Sequence, residues 1–250
     1  MSRFIHFGIS IVLGIILAAS CTDKPSGLEA MNIADKYQQV ILVLVADDTA
    51  TSGKLQYFDR VGNHWNPKTE PFKVSVGRNG TAWGQGLHKI PTGAQVKKEG
   101  DGKAPTGIFE LGTAFGYQEH VGFSYPYRQS TDRDYYVDDV TSGDYNSWVT
   151  IDTSEINDPK AFWKSVERMK RPDHLYELGL EVKHNKEPAV SDMGSAIFLH
   201  VWKAENVSTA GCTAMPKAQI QQMLEWLDAA KNPLLIQVRE DDLENLEFKN

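Results

Sequence analysis

The chain has 250 residues, 41% of them hydrophobic and 24% charged, with a net charge of −7 and a mean hydropathy of −0.40. That balance excludes a disordered tail and a protein of several membrane spans. With 26 basic against 33 acidic residues, it also argues against a general nucleic-acid binder, which needs a basic face. The length fits one large domain or two small ones, with ample core. In chain order the first feature is a leader: Arg3, an apolar stretch at 7–19, and the small residues Ala18, Ala19 and Ser20 ahead of Cys21. The apolar run is short for a span and has the layout of a secretory signal over 1–20. Residues 21–36 read as a tether, with Pro25 and Gly27 as breakers.

The β-branched run at 39–46 predicts a buried strand, and 55–60 and 72–76 predict shorter ones. Residues 77–107 are glycine-rich and aperiodic, a pattern that inside a compact domain usually serves a site. A strand is expected at 108–111. The stretch 115–148, dense in Tyr, Phe and Asp, is either one wall of a cleft or a surface meander. Pro159 and Pro172 bracket an expected helix at 158–170. Strands follow at 175–183 and 195–202. The clearest helix is 216–231, where Ile220, Met223, Leu224 and Leu227 fall on one face. A closing strand at 234–238 precedes an acidic, solvated tail at 240–247. The many short strands predict one mainly-β (α+β) domain over 37–250, a sandwich or half-open barrel with a few helices.

Alternation on 195–202 puts Ala196, Phe198, His200 and Trp202 on one face. Twelve residues after His200 stands Cys212, preceded by Gly211 and followed by the expected helix. The chain has two cysteines, so an exported form leaves Cys212 either a reactive thiol or a buried inert one. A thiol works as a nucleophile through its thiolate, which a neighbouring imidazole or a helix N-terminus favours. Backbone N–H groups of a Gly-Cys turn could face a developing oxyanion. His200 comes before Cys212, the reverse of the papain-like order. The seven histidines form no zinc-ligand pattern, and no metal or cofactor is expected.

The strand Gly194–His200, the turn Ser208-Thr-Ala-Gly-Cys212-Thr-Ala-Met215 and the segment Gly100–Gly112 with Lys103, Pro105, Gly107 and Phe109 resemble the L,D-transpeptidase catalytic domain, the YkuD-like fold. The resemblance implies Cys212 as nucleophile, His200 as base, Gly211 as the glycine before the nucleophile and Thr209 as the Ser/Thr three places earlier. The chain departs from the family pattern at Val201, where glycine is common, at Ala210, where histidine is common, and at Ala214, where arginine is common. Candidate substrate contacts are Lys103, Trp202 and the pair His184-Asn185, the last two equally readable as a surface loop. Arg78, Arg128 and Arg133 are further basic candidates. Leu17-Ala18-Ala19-Ser20-Cys21 resembles the bacterial lipobox, which implies a lipid on Cys21 that anchors the chain to a membrane without a span.

Together these features lead us to expect a monomeric, periplasm-facing lipoprotein of the cell envelope. It would transfer acyl groups of peptidoglycan stem peptides through a thioester on Cys212. Hydrolysis of the same substrates, as an L,D-carboxypeptidase or amidase, and wall binding without catalysis are the alternatives.

Overall fold

In the run Gln39–Val45, β1, nearly every residue is buried. Its two faces enter different cores: Ile41 and Val43 pack on one side, Val40 and Leu42 on the other. A strand covered on both faces reads as a continuous apolar run rather than an alternating one, as the sequence does here. The computed structural model describes residues 27–119, 121–152 and 158–249. The signal and lipidation readings at 1–21 lie outside the described residues. After β1 come β2 (Ser52–Val61), β3 (His64–Pro67), β4 (Phe72–Ser75), β5 (Thr81–Trp83), β6 (Ala104–Gly116) and β7 (Tyr127–Gln129). Then follow β8 (Asp134–Val137), β9 (Ser147–Thr150), β10 (Val166–Arg168), β11 (Leu178–Val182), β12 (Phe198–Val201), β13 (Thr213–Met215), helix α1 (Lys217–Trp226) and β14 (Leu234–Arg239).

The fold is mainly β, as expected. Its large sheet runs β1-β14-β6-β11-β12-β13-β4-β2, and pairing of β2 back onto β1 closes this ring of eight into a barrel. The strands β3, β5 and β7 hang on its edges. Helix α1 buries Ile220, Met223 and Leu224 against Leu199, Val201 and Leu180 in the first core. The helix is shorter than the periodicity of 216–231 suggests, because it ends at Trp226 and 229–231 form a separate 3-10 turn that Asp228 caps through the Ala230 N–H.

A second, three-stranded sheet, β10-β8-β9, lies apart from the ring. The stretch 115–148 divides: β7 pairs the barrel strand β6, β8 and β9 enter the small sheet, and Asp138 is its contribution to the cavity lining. Asp134, the first residue of β8, ties the small sheet together. This carboxylate is buried and accepts from Thr131, Trp148 and Thr150. Tyr136 and Met169 from this layer, with Tyr176 beyond it, meet Phe115, Phe198 and Cys212 of the barrel in a third apolar cluster. The candidate site therefore sits in the seam between the two sheets.

Three expectations need correction. The helix expected at 158–170 is one 3-10 turn, Pro159–Ala161, followed by β10. Val166, Glu167 and Arg168 pair with β8, and Trp163 is buried beside Tyr135 and Val137; strand pairing wins over the proline punctuation. The described part of the expected tether, 27–36, packs on the barrel, since Leu28, Met31 and Ile33 enter the second core. The acidic stretch is likewise docked: Glu240–Asn245 is a 3-10 helix that buries Leu243, with Leu246 after it. Burying a Leu or Ile side chain contributes about 1.5–3 kcal/mol, enough to hold otherwise polar segments down.

Candidate active site

Register brings the two chemical residues together. Strands β12 and β13 run parallel with His200 opposite Ala214. Cys212, two residues before Ala214, therefore shares the His200 face. Its Sγ accepts from the Phe198 N–H at 3.4 Å and donates to the Ala196 carbonyl at 3.4 Å. His200, Cys212, Gly211, Thr209 and Ala214 all line one cavity of about 340 Å³.

His200 is buried, with its Nδ1 2.7 Å from the Val201 carbonyl and its ring edge-to-face with Tyr176, centroids 5.3 Å apart. In the tautomer that donates from Nδ1 to this carbonyl, Nε2 is the basic nitrogen; the Leu175 backbone is a second partner of the ring. Burial, reinforced by the nearby Arg171, pulls its pKa down to about 4, against the Val201 bond. The imidazole is thus neutral at pH 7. Burial, with the Glu167 carboxylate adding to it, pushes the Cys212 thiol up to about 12. The resting pair is a neutral thiol and a neutral imidazole, with the thiol proton on the Ala196 carbonyl.

Thr209 builds the turn. Its hydroxyl accepts from the Gly211 N–H at 3.1 Å and donates to the Cys212 carbonyl at 2.6 Å, while its backbone bonds Val76 and Arg78. The Gly211 N–H is consequently committed to Thr209 and does not face an oxyanion, which corrects the expectation for that group. A side chain on Gly211 would press on the Lys103 carbonyl, 3.0 Å from the added carbon.

The expected substrate contacts do not reach the cavity. Lys103 places its ammonium on the carbonyls of Asn79 and Thr81. His184 is buried and bridges the Gln85 N–H and the Met193 carbonyl; burial pulls its pKa down to about 3. Asn185 ties the 185–194 loop through Val190 and Gly194. Trp202 bonds Met215 through its backbone and is not among the cavity-lining residues. Of the other basic candidates Arg78 lines the cavity, whereas Arg128 lies over Trp148 and on Thr150.

The cavity is lined instead by Lys97, Glu99, Asp138, Glu167, Arg171 and Tyr176, none of which the sequence reading singled out. Tyr176 donates its phenol proton to Glu167, and Arg171 stacks over the Tyr176 ring at 5.1 Å while gripping Asp173 through Nε and Nη2. Burial raises both Glu167 and Asp138 above the ordinary carboxyl range. Glu99 accepts from Tyr145 and Ser195. Among the described residues no three His, Cys, Asp or Glu side chains converge as metal ligands.

A family model, the L,D-transpeptidase catalytic domain (YkuD), matches residues 42–236. The chain belongs to that family. The matched span runs from β1 to β14 and so takes in the whole ring and the seam. Among solved structures this L,D-transpeptidase domain is similar to the helical cell shape determining protein Pgp2 from Campylobacter jejuni, with 12% identity and a TM-score of 0.38 over 81% of this chain. It spans about half of that protein, 48% of its chain. No curated protein matches the sequence.

Proposed function

We propose that this L,D-transpeptidase domain is a cysteine acyltransferase of peptidoglycan stem peptides, exported and held at the envelope membrane by a lipid on Cys21. The observation that carries the catalytic reading is the placement of the Cys212 thiol and the His200 imidazole on one face of neighbouring strands, both open to one cavity. Nε2 of His200 takes the thiol proton as Sγ attacks an amide carbonyl, and a tetrahedral oxyanion forms. The C–N bond then breaks, the imidazolium gives its proton to the leaving amine, and a thioester remains on Cys212. An amine acceptor attacks the thioester, loses its proton to His200 and leaves with the acyl group, and the thiol is restored. Thr209 holds the turn that aims Sγ.

The test is intact mass of the full chain in detergent after incubation with a tetrapeptide-stem muropeptide or a carbapenem, wild type against Cys212→Ala. A covalent adduct or a new product that disappears in the variant is the expected result. Well-folded protein that gives neither would overturn the reading. Product masses distinguish an amine acceptor from water, and so transfer from hydrolysis.

A further inference from the structure

The lysine at position 97 has an uncommon setting. Its side chain is 4% exposed, and its ammonium is 2.7 Å from Oδ1 of Asp101 and 3.2 Å from the Lys98 carbonyl. Asp101 is committed to keeping this ion pair. Burial works against its charge, but Lys97 together with the N–H groups of Lys98 and Lys103 holds its carboxyl below the usual range. An ammonium has three protons to give, and among the described residues two have acceptors. Burying a charge with an unspent donor is costly unless something occupies it.

The position of that donor is specific. Lys97 is wedged between the two segments that touch the thiol. Its Cε and Cγ stand 3.0 and 3.1 Å from where a side chain on Gly194 would begin, and its Nζ stands 3.7 Å from the same point on Gly211. Gly194 opens the segment whose Ala196 carbonyl holds the Cys212 proton, and Gly211 adjoins Cys212. Lys97 also lines the cavity.

We propose that Lys97 is the cation that supports negative charge at Cys212, first on the thiolate and then on the oxyanion of the tetrahedral adduct. The second of these roles rests on the acyltransferase reading above; the first does not. The other charged and titratable groups around the thiol and its cavity are Glu167, Tyr136 and Tyr176 on the small-sheet side, Arg171 before Tyr176, His200 on β12, and Arg78, Glu99, Asp138 and Lys203 of the cavity lining. Glu167 opposes a thiolate, whereas Lys97 and Arg171 favour it. Both cations are paired with a carboxylate, Lys97 with Asp101 and Arg171 with Asp173, but the Lys97 ammonium stands beside Gly211 with one proton unspent among the described residues. In a low-dielectric seam a fixed cation acts more strongly on a developing anion than it would in water.

The experiment is alkylation of the full chain by iodoacetamide, a neutral reagent, with the label on the Cys212 peptide followed by mass spectrometry from pH 6 to 10. Lys97→Met should slow labelling at least tenfold at neutral pH and displace the pH profile upward by about one unit, a tenfold change in ionisation. Lys97→Arg should restore most of the rate. Because Lys97→Met strands Asp101, the double variant Lys97→Met/Asp101→Asn is measured beside it and should be slow as well. Lys103→Met, which removes an ammonium outside the cavity, should label like wild type. Wild-type profiles in folded Lys97→Met and in the double variant would overturn the proposal. Because labelling needs no peptide substrate, a failure here is distinct from a failure of the acyltransferase reading, which muropeptide turnover tests.

Discussion

The hydroxyl of Thr213 donates to Oε1 of Gln237 at 2.6 Å, and the amide of Gln237 donates in turn to the Pro105 carbonyl at 2.9 Å. Both side chains are buried. The residue after Cys212 is thus fastened to β14 and to the start of β6, so three distant stretches of chain fix where the nucleophile stands. Replacing Gln237 by Leu leaves a buried hydroxyl and a buried carbonyl without partners, at about 1–3 kcal/mol each. We expect Gln237→Leu to lower Tm by roughly 4 °C or more in a chain of this size. An unchanged melting curve would mean that this bond bears no weight.

Thr209 offers a test of aim rather than stability. Thr209→Val keeps the shape but removes the acceptor for the Gly211 N–H and the donor to the Cys212 carbonyl. A displacement of the thiol by a fraction of an ångström lowers turnover steeply. The expected outcome is a ten- to hundredfold loss in kcat/KM with folding retained. Thr209→Ser should recover it, and a Val variant with full activity would remove Thr209 from the machinery.

Glu167 faces the thiol with the wrong charge for a nucleophile, and it raises the Cys212 pKa beyond what burial alone does. Glu167→Gln keeps an acceptor for the Tyr176 phenol and deletes that charge. Cys212 labelling by iodoacetamide at pH 8 should then rise about three- to tenfold, the effect of half to one pKa unit. Equal rates would contradict a charged carboxylate at this wall.

Three histidines buried among the described residues set the acid limit of the fold. Burial pulls His88 and His200 down to about 4 and His184 to about 3. Each binds its proton more weakly folded than unfolded. The unfolded chain therefore takes up more protons below pH 6.5, and stability falls as pH drops from 6.5 to about 4. The slope is about 1.4 kcal/mol per pH unit for each histidine. Glu167 and Asp138, both raised, work in the opposite direction near the low end of this window, because they bind protons more tightly when folded. Urea unfolding at half-unit steps of pH measures the net slope, and a flat profile from 6.5 to 4.5 would refute the assignment.

The sequence disclosed what depends on neighbours in the chain. Cys212, Gly211 and Thr209 form one turn, and His200 is read from strand alternation, so their shared face was legible. So were both faces of β1 and the apolar stripe of α1. Lys97, Glu167 and Tyr176 were not, because they come from a loop, a short paired strand and a connection whose approach to Cys212 exists only after the two sheets dock. The difference between the helix expected at 158–170 and the observed strand has the same origin, since Val166–Arg168 pairs with β8. Lys103 and His184 stand near conspicuous motifs, which suggests contacts, yet their polar atoms are spent on loop carbonyls and amides.

The ring closes in an unusual chain order. Strand β14, made of residues 234–239, lies between β1 and β6 and pairs with both. Until it is inserted, each of those strands presents a row of unpaired backbone groups, an edge that invites pairing with another chain. The contacts that complete the barrel therefore join residues near opposite ends of the domain, and such non-local pairings carry the loop-closure cost that slows folding in general. A chain cut short before Leu234 would not be a smaller version of this protein. It would carry two open sheet edges into solution, and aggregation rather than weakened activity is the phenotype such a truncation should show.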